Sequence, residues 1–400
     1  MVPEGWRITR LGKVVTISSG ESPSSFSFSQ AGKYPYVKVE DLNSDAKYLS
    51  RSRTFTDDER NPIPAGSIVF PKRGAAIATN KVRITSIPLY IDTNLMALRP
   101  NTDELDAEYL YYWIQHSRLF RIADTSSIPQ INNKHITPMQ IPLPRLEQQI
   151  EVRQLLSTWD RSIVTLEHLL QKKQQLKHGL MQQLLTGKRR LTGFRKPWKK
   201  ALLSDLVADA QRPVTWREET LYRLASVRRW SGGVFEREAL FGHQIKVKKL
   251  KTIKEGDLLI SHIQSAYGAM ALVPREFDGM QVSDLYTVLV PRDPATLDIR
   301  FLGYLSQRKR MWHQAYLASN GFFAERLRLN FDPVEFLSHA ILVPPEIGEQ
   351  QQIVQILDTS TREIDLLQRH LDLLKLQKRG LMQRLLTGQV RVKEKGATHG

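Results

Sequence analysis

Few side chains can read the edge of a nucleic-acid base. Arginine offers paired donors to guanine O6 and N7, asparagine and glutamine offer a donor and an acceptor to adenine N6 and N7, and lysine holds phosphate without reading sequence. In PKRGAAIATNKVR, Lys72 and Arg73 leave an apolar run into a glycine-containing loop, and Asn80 and Lys81 enter the next run. In SSIPQINNK, Gln130, Asn132, Asn133 and Lys134 share one loop-forming stretch. The second half of the chain offers His262, Gln264, Ser265 and Tyr267 in SHIQSAYG, at the place equivalent to the Lys72 loop, and Arg326 and Arg328 in SNGFFAERLRLN. In HQIKVKKLKTIK, Lys246 and Lys248 alternate as on one face of a strand, with Lys251 as a further candidate, and they would meet phosphate. The same residues have ordinary structural readings. Asn and Gln close turns, lysines protect edge strands, and basic runs such as Arg228 and Arg229 before Trp230, or Arg308 to Arg310, form solvated faces.

Other chemistry is sparse. The absence of cysteine excludes disulfides, thiol catalysis and cysteine-ligated zinc, and the ten histidines lack metal-ligand spacing. There is neither a G-x-x-x-x-G-K-[ST] loop nor a G-x-G-x-x-G fingerprint. NPIP at Asn61 to Pro64 resembles an amino-methyltransferase loop but lacks the aromatic residue that would stack on a flipped base, and it reads as a turn. Lys and Arg number 58 against 41 Asp and Glu, a formal charge of +17, which makes a polyanion the leading partner. A membrane surface ranks below nucleic acid, because neither terminus carries a basic amphipathic or lipidation signal. No apolar run is long enough to span a bilayer and the first twenty residues lack a signal-peptide centre, so a soluble, cytoplasmic protein is expected.

The elements that would position these residues come from an internal repeat. GLMQQLLTG at 179–187 returns as GLMQRLLTG at 380–388, a shift of 201. At that shift Val152, Leu156, Trp159, Ile163, Leu166, Leu170, Leu180 and Leu184 meet Ile353, Leu357, Ser360, Ile364, Leu367, Leu371, Leu381 and Leu385. The spacing alternates four and three, the seam of a coiled coil, with Leu374 facing Lys173 and with Lys173, Lys177 and Lys378 as polar interruptions. Both helices follow proline-bearing segments, IPLPRLEQQ and LVPPEIGEQQ, whose Glu-Gln-Gln triplets stand one residue out of register; a single-residue insertion is the expected cause. Gly187 and Gly388 fit as left-handed caps, and basic residues follow them, among them Lys188, Arg189, Arg190 and Arg391. Ahead of each helix the halves match loosely: Trp6 with Trp198, AGSIVF with EGDLLI, LDAEYL with LDIRFL. Apolar runs at 67–70, 81–84, 95–98, 257–260 and 287–290 read as strands.

The expected fold is mixed α+β. Two globular domains, 1–144 and 188–345 (the second with its linker), are each followed by a long helix, 145–187 and 346–388. A basic tail, 389–400, follows. The two seams can pair as a coiled coil in a pseudo-two-fold repeat, and helices of some forty residues reach about 60 Å.

This order of globular half, Glu-Gln-Gln, long helix and GLMQ-x-LLTG, written twice, resembles the specificity subunit of type I restriction-modification systems across essentially the whole chain. The resemblance implies a non-catalytic adaptor that reads a bipartite double-stranded DNA target through two target-recognition domains held apart by an antiparallel coiled-coil ruler. It implies docking of two modification (methyltransferase) subunits and, through the complex, restriction subunits. It also implies no cofactor on this chain: S-adenosylmethionine belongs to the modification subunits, and ATP with magnesium to the restriction subunits. Two alternatives from the residues alone are a coiled-coil scaffold with incidental charge and an unrecognised stand-alone nuclease.

Overall fold

The structure is a computed structural model, described for residues 3–44, 46–124, 127–320 and 330–392. The chain forms two compact units, Met1–His168 with Arg369–Gly400, and Leu169–Gln368. Each unit therefore takes parts of both long helices, Leu146–Leu184 and Ile347–Leu386.

In the first unit, a five-stranded sheet runs Val15–Ser19, Leu95–Pro100, Ile68–Pro71, Arg83–Thr85, Tyr48–Leu49, antiparallel except for the last pair. Ile68, Val69, Phe70 and Leu95 to Leu98 are all buried, because this sheet is covered on both faces and so needs no polar alternation. Helix Ala107–Ser117 covers one face with Tyr109, Leu110, Trp113 and Ile114; its N-terminus is capped by Asp106, whose carboxylate accepts from the Glu108 and Tyr109 amides. Strand Arg7–Arg10 pairs antiparallel with Gln140–Leu143, which tethers the start of the unit to the residues just before the first long helix.

The second unit repeats this plan. Its four-stranded sheet runs Val207–Asp209, Tyr286–Pro291, Leu258–Ser261, Met270–Leu272, the same order as the first four strands above. Helix Ile299–Ser306 carries the equivalent Asp298 cap, and Lys199–Leu202 pairs with Ala340–Val343. A second four-stranded sheet here has no counterpart of equal size: Val234–Phe241, Leu221–Val227, Gln281–Ser283, Leu250–Thr252. The lysine-rich stretch before that last strand differs from expectation. Lys246 and Lys248 lie outside any strand, because Val247 between them is exposed and gives the stretch no apolar face to lay on a sheet.

Within each unit the long helices run antiparallel. In the first unit Asp160 pairs with Lys378, and Glu167, further along the same helix, pairs with the earlier Lys375 at 2.7 Å. In the second, Lys173 pairs with Glu363 at 2.7 Å, and Lys177 one turn later lies near Asp358. Every residue of the predicted seam is buried or half-buried, Leu156 and Leu357 completely.

The repeated nine-residue motif acts where the helices end. Leu385 and Leu386, with Leu381 and Met382 beside them, enter the core of the first unit; Leu184, Leu185, Leu180 and Met181 enter that of the second. Gly388 and Gly187 take φ of 74° and 69° against Trp6 and Trp198 respectively. The loose match of the two tryptophans thus has a shared cause: each is the surface on which a long helix stops.

Candidate nucleic-acid interface

The frame that fixes each unit's tips is polar and buried. Gln149 is completely buried; its Oε1 accepts from the Asp106 amide at 2.9 Å, and its Nε2 donates to the Glu104 and Pro144 carbonyls at 2.8 and 2.9 Å. Gln350 makes the same three bonds, from the Asp298 amide at 3.0 Å and to the Thr296 and Pro344 carbonyls at 2.9 and 3.0 Å. The two stand 201 residues apart, in register with the seam, whereas the prolines that accept from them, Pro144 and Pro344, stand 200 apart, so the expected single-residue insertion lies between proline and glutamine. The letters slip by one, while the working glutamine is the last of one triplet and the middle of the other.

A tyrosine on each capped helix reaches an aspartate on a long helix, the two aspartates standing about one turn apart in the repeat. Tyr112 donates to Asp160 at 2.5 Å and Tyr304 to Asp358 at 2.6 Å; burial first, then the carboxylate, pushes both hydroxyls far above the ordinary tyrosine range. The Lys378 ammonium lies 5.5 Å from the Tyr112 ring centre and that of Lys177 lies 5.9 Å from the Tyr304 ring centre. These lysines were the polar interruptions of the seam, and each is spent on a tyrosine.

On this frame, strand Ile68–Pro71 delivers Lys72 and Arg73 to the edge of the first unit. The segment around Gln130 comes to the same place: Gly74 N donates to the Pro129 carbonyl and Ile131 N to the Lys72 carbonyl, both at 2.8 Å, and Arg73 bridges Gln130. Two stretches distant in sequence are thereby joined, with Arg73, Asn133 and Lys134 exposed and Lys72 and Gln130 half-buried. Burial lowers the pKa of Lys72, only partly offset by Asp92. Other expected readers have structural positions. Asn80 closes a turn at φ 49° and donates to the Gln115 carbonyl at 2.9 Å, Lys81 bonds Asn43, and Asn132 caps the short helix Asn133–Ile136. Ile63 of the NPIP segment bridges Leu89 as part of the sheet framework.

In the second unit, the equivalent strand Leu258–Ser261 delivers His262 and a turn at 265–267. His262 turns inward: its Nε2 lies 2.8 Å from Thr287 Oγ1, its ring packs on Phe331, and burial, then Lys251, lowers its pKa. Ser265 is 1% exposed. Gln264 and Tyr267 remain half-buried near the surface. Lys248 pairs with Glu218 and Lys251 with Asp209, whereas Lys246 is exposed. Arg326 and Arg328 lie outside the described residues.

Trp230 was passed over as part of a basic run. It sits in the turn of the hairpin Leu221–Val227 and Val234–Phe241, and its amide donates to the Tyr267 carbonyl at 2.8 Å. The equivalent strand end in each unit is thus braced by a second segment, around Gln130 in one and around Trp230 in the other. Among the described residues no group of three or more His, Asp or Glu could hold a metal ion, and no helix is long and apolar enough to cross a membrane.

Comparison with known proteins decides what these paired edges belong to. Residues 3–178 match the type I restriction modification DNA specificity domain. Over 98% of its length the chain is 24% identical to the putative type I restriction enzyme MjaX specificity subunit of Methanocaldococcus jannaschii, covering 95% of that protein. It is 22% identical to the MjaVIII specificity subunit of the same organism, over 98% of this chain and 94% of that one. In sequence over nearly its whole length the chain is similar to the specificity subunits of type I restriction-modification systems.

Solved specificity subunits share the fold. That of M. genitalium aligns with a TM-score of 0.56 at 12% identity over 96% of both chains, and that of Thermoanaerobacter tengcongensis with 0.53 at 17% over 97% and 98%. Specificity subunits are the DNA-recognising, non-catalytic members of their complexes, which agrees with the kind of side chains gathered here: donors and acceptors braced at strand ends.

Proposed function

We propose that this specificity subunit reads a two-part duplex target, one part at the Arg73–Gln130 edge and the other at the Gln264–Tyr267 edge. The long helices act as the ruler between the parts, at about 1.5 Å per residue, against half-sites about 34 Å apart per turn of B-DNA. The single observation behind the reading is that the same strand, in the same sheet order and on the same glutamine-locked frame, presents different polar side chains in the two units. Equivalent frames with unlike tips suit a target with unlike halves.

Two modification subunits dock on the helices in this proposal, and restriction subunits join through them. Support comes from apolar positions outside the seam: Leu169 and Leu176 on the first long helix, and Leu366 and Leu373 on the second, are exposed at intervals of seven. A helix face of that kind is one a partner helix can cover. S-adenosylmethionine is carried by the modification subunits, ATP and magnesium by the restriction subunits, and the complex works in the cytoplasm on DNA.

The deciding experiment is single-molecule methylation sequencing of DNA from cells that express this chain with its modification subunit, against cells lacking only this chain. An adenine-methylated, two-part motif that depends on the chain is the expected outcome. A single continuous motif, or methylation indifferent to the chain, would overturn the reading.

A further inference from the structure

The turn at residues 228–233 holds the only consecutive pair of non-glycine residues with positive φ among the described residues, Trp230 at 58° and Ser231 at 55°. A tryptophan in the left-handed region costs conformational energy, although Gly232 and Gly233 stand beside it and could turn the chain without that cost. The strain is held from outside the hairpin: Trp230 N donates to the Tyr267 carbonyl at 2.8 Å and Ser231 N to the Gly268 carbonyl at 2.9 Å. Gly268 itself must be glycine, because a Cβ there would lie 2.4 Å from the Trp312 ring.

What the strain produces is a rigid display. The Trp230 side chain is 64% exposed, yet its ring is steadied edge-on by Tyr267, 5.9 Å between centres, and by Trp312 at 5.6 Å. The Arg229 guanidinium lies 5.2 Å from the Tyr267 ring and that of Arg228 lies 4.3 Å from the Phe235 ring. No carboxylate occurs from Arg228 to Phe235. An aromatic plate flanked by two arginines, without an acidic neighbour in its own segment, suits a base stack bordered by phosphates. It is poorly suited to an acid-rimmed protein surface seeking neutral contacts.

We propose that Trp230 is a wedge that enters a base step of the half-site read by the second unit, so that this half-site is recognised partly by how readily it unstacks. The proposal rests on the DNA-reading function given above and adds a specificity-determining residue to it. The first unit braces its equivalent strand end with the Pro129–Ile131 segment, which carries no aromatic residue, so the deformation is one-sided.

The test uses the complete complex with its modification subunits and a duplex bearing the motif found by methylation sequencing. Trp230→Ala should weaken binding of that duplex by roughly tenfold to a hundredfold, relax base preference in one half-site only, and abolish the fluorescence rise of 2-aminopurine placed at the wedged step. Trp230→Phe should retain most of each signal. Trp230→Gly separates folding from contact: relief of the left-handed strain should leave the melting temperature unchanged or raised while DNA binding falls as for alanine. If all three variants bind, bend and methylate as the parent does, the wedge is wrong and the general reading stands. If they lose the modification subunits instead, Trp230 is a protein contact and the proposal is overturned. Should the parent complex methylate no defined motif, the reading beneath the proposal fails first.

Discussion

The two units share a frame and differ at their tips, and the difference divides the chemistry of holding from that of reading. Gln149 and Gln350 make matching bonds, Tyr112 and Tyr304 each reach a carboxylate on a long helix, about one turn apart in the repeat, and Gly388 and Gly187 stop against matching tryptophans. At the strand ends, by contrast, Lys72 and Arg73 face His262 and Gln264, and the bracing segments have nothing in common. One further mismatch lies inside the frame. In the second unit Glu349, wholly buried, takes a paired contact from Arg190, 2.7 Å to Nε and 2.9 Å to Nη2, and a bond from Trp198 Nε1. The first unit has Gln148 at that place, whose Oε1 is buried without a partner, and Arg391 donates instead to the Glu4 carbonyl at 3.2 Å.

The comparison breaks most visibly if the tips are exchanged. Replacing residues 72–83 by those of a relative should convert one half of the methylated motif completely and leave the other half intact; methylation sequencing of the hybrid reads this directly, and a change in both halves would refute one tip per half-site. Next in size is the buried pair. Arg190→Ala strands a buried carboxylate and should destabilise by about 3–5 kcal/mol, while Arg391→Ala, which removes one exposed bond, should cost less than about 1 kcal/mol; thermal melting of both variants measures the gap. Gln149→Ala and Gln350→Ala should then be alike, each near 2–3 kcal/mol for backbone groups left unpaired. A large difference between them in a denaturant titration would mean the frames are not equivalent.

The smallest effect concerns pH. His262 titrates below 6.5 in the folded chain because burial, then Lys251, opposes its charge. The unfolded chain therefore binds that proton more readily, and stability falls as pH drops through 6.5. His262→Asn should flatten this part of the acid limb. The equivalent Lys72 contributes nothing in that window, so the same substitution there should leave the limb unchanged.

The sequence displayed its long-range periodicities openly. Seam, helix ends and paired strands are set by local spacing and apolar pattern, and the structure carries them at nearly the expected residues. The slip at the Glu-Gln-Gln triplets reflects one extra residue between Pro344 and Gln350, which hydrogen-bonding positions locate and letters alone do not. The lysine stretch forms a strand only at Lys251, between Leu250 and Thr252; Lys246 and Lys248 flank the exposed Val247, which gives that part nothing to bury. At the tips, the joining of Arg73 to Gln130, and of Trp230 to Tyr267, depends on contacts between segments tens of residues apart, which no local pattern encodes. Side-chain type alone likewise placed His262 and Ser265 among the readers, although His262 turns in toward Thr287 and Ser265 is buried in the turn at 265–267.

The near-identity of the nine-residue motif has a consequence for how such chains change. The second unit closes on the helix end that immediately precedes it, but the first closes on the helix end written last in the chain, so the first head must fit a helix end far from it in sequence. Because the two ends present the same leucines, methionine and glycine, a genetic crossover between related chains can install a foreign head without repacking either core. Under the proposed two-part reading, new pairings of half-targets would then arise in one recombination event, with the cores already matched before any selection acts on the tips.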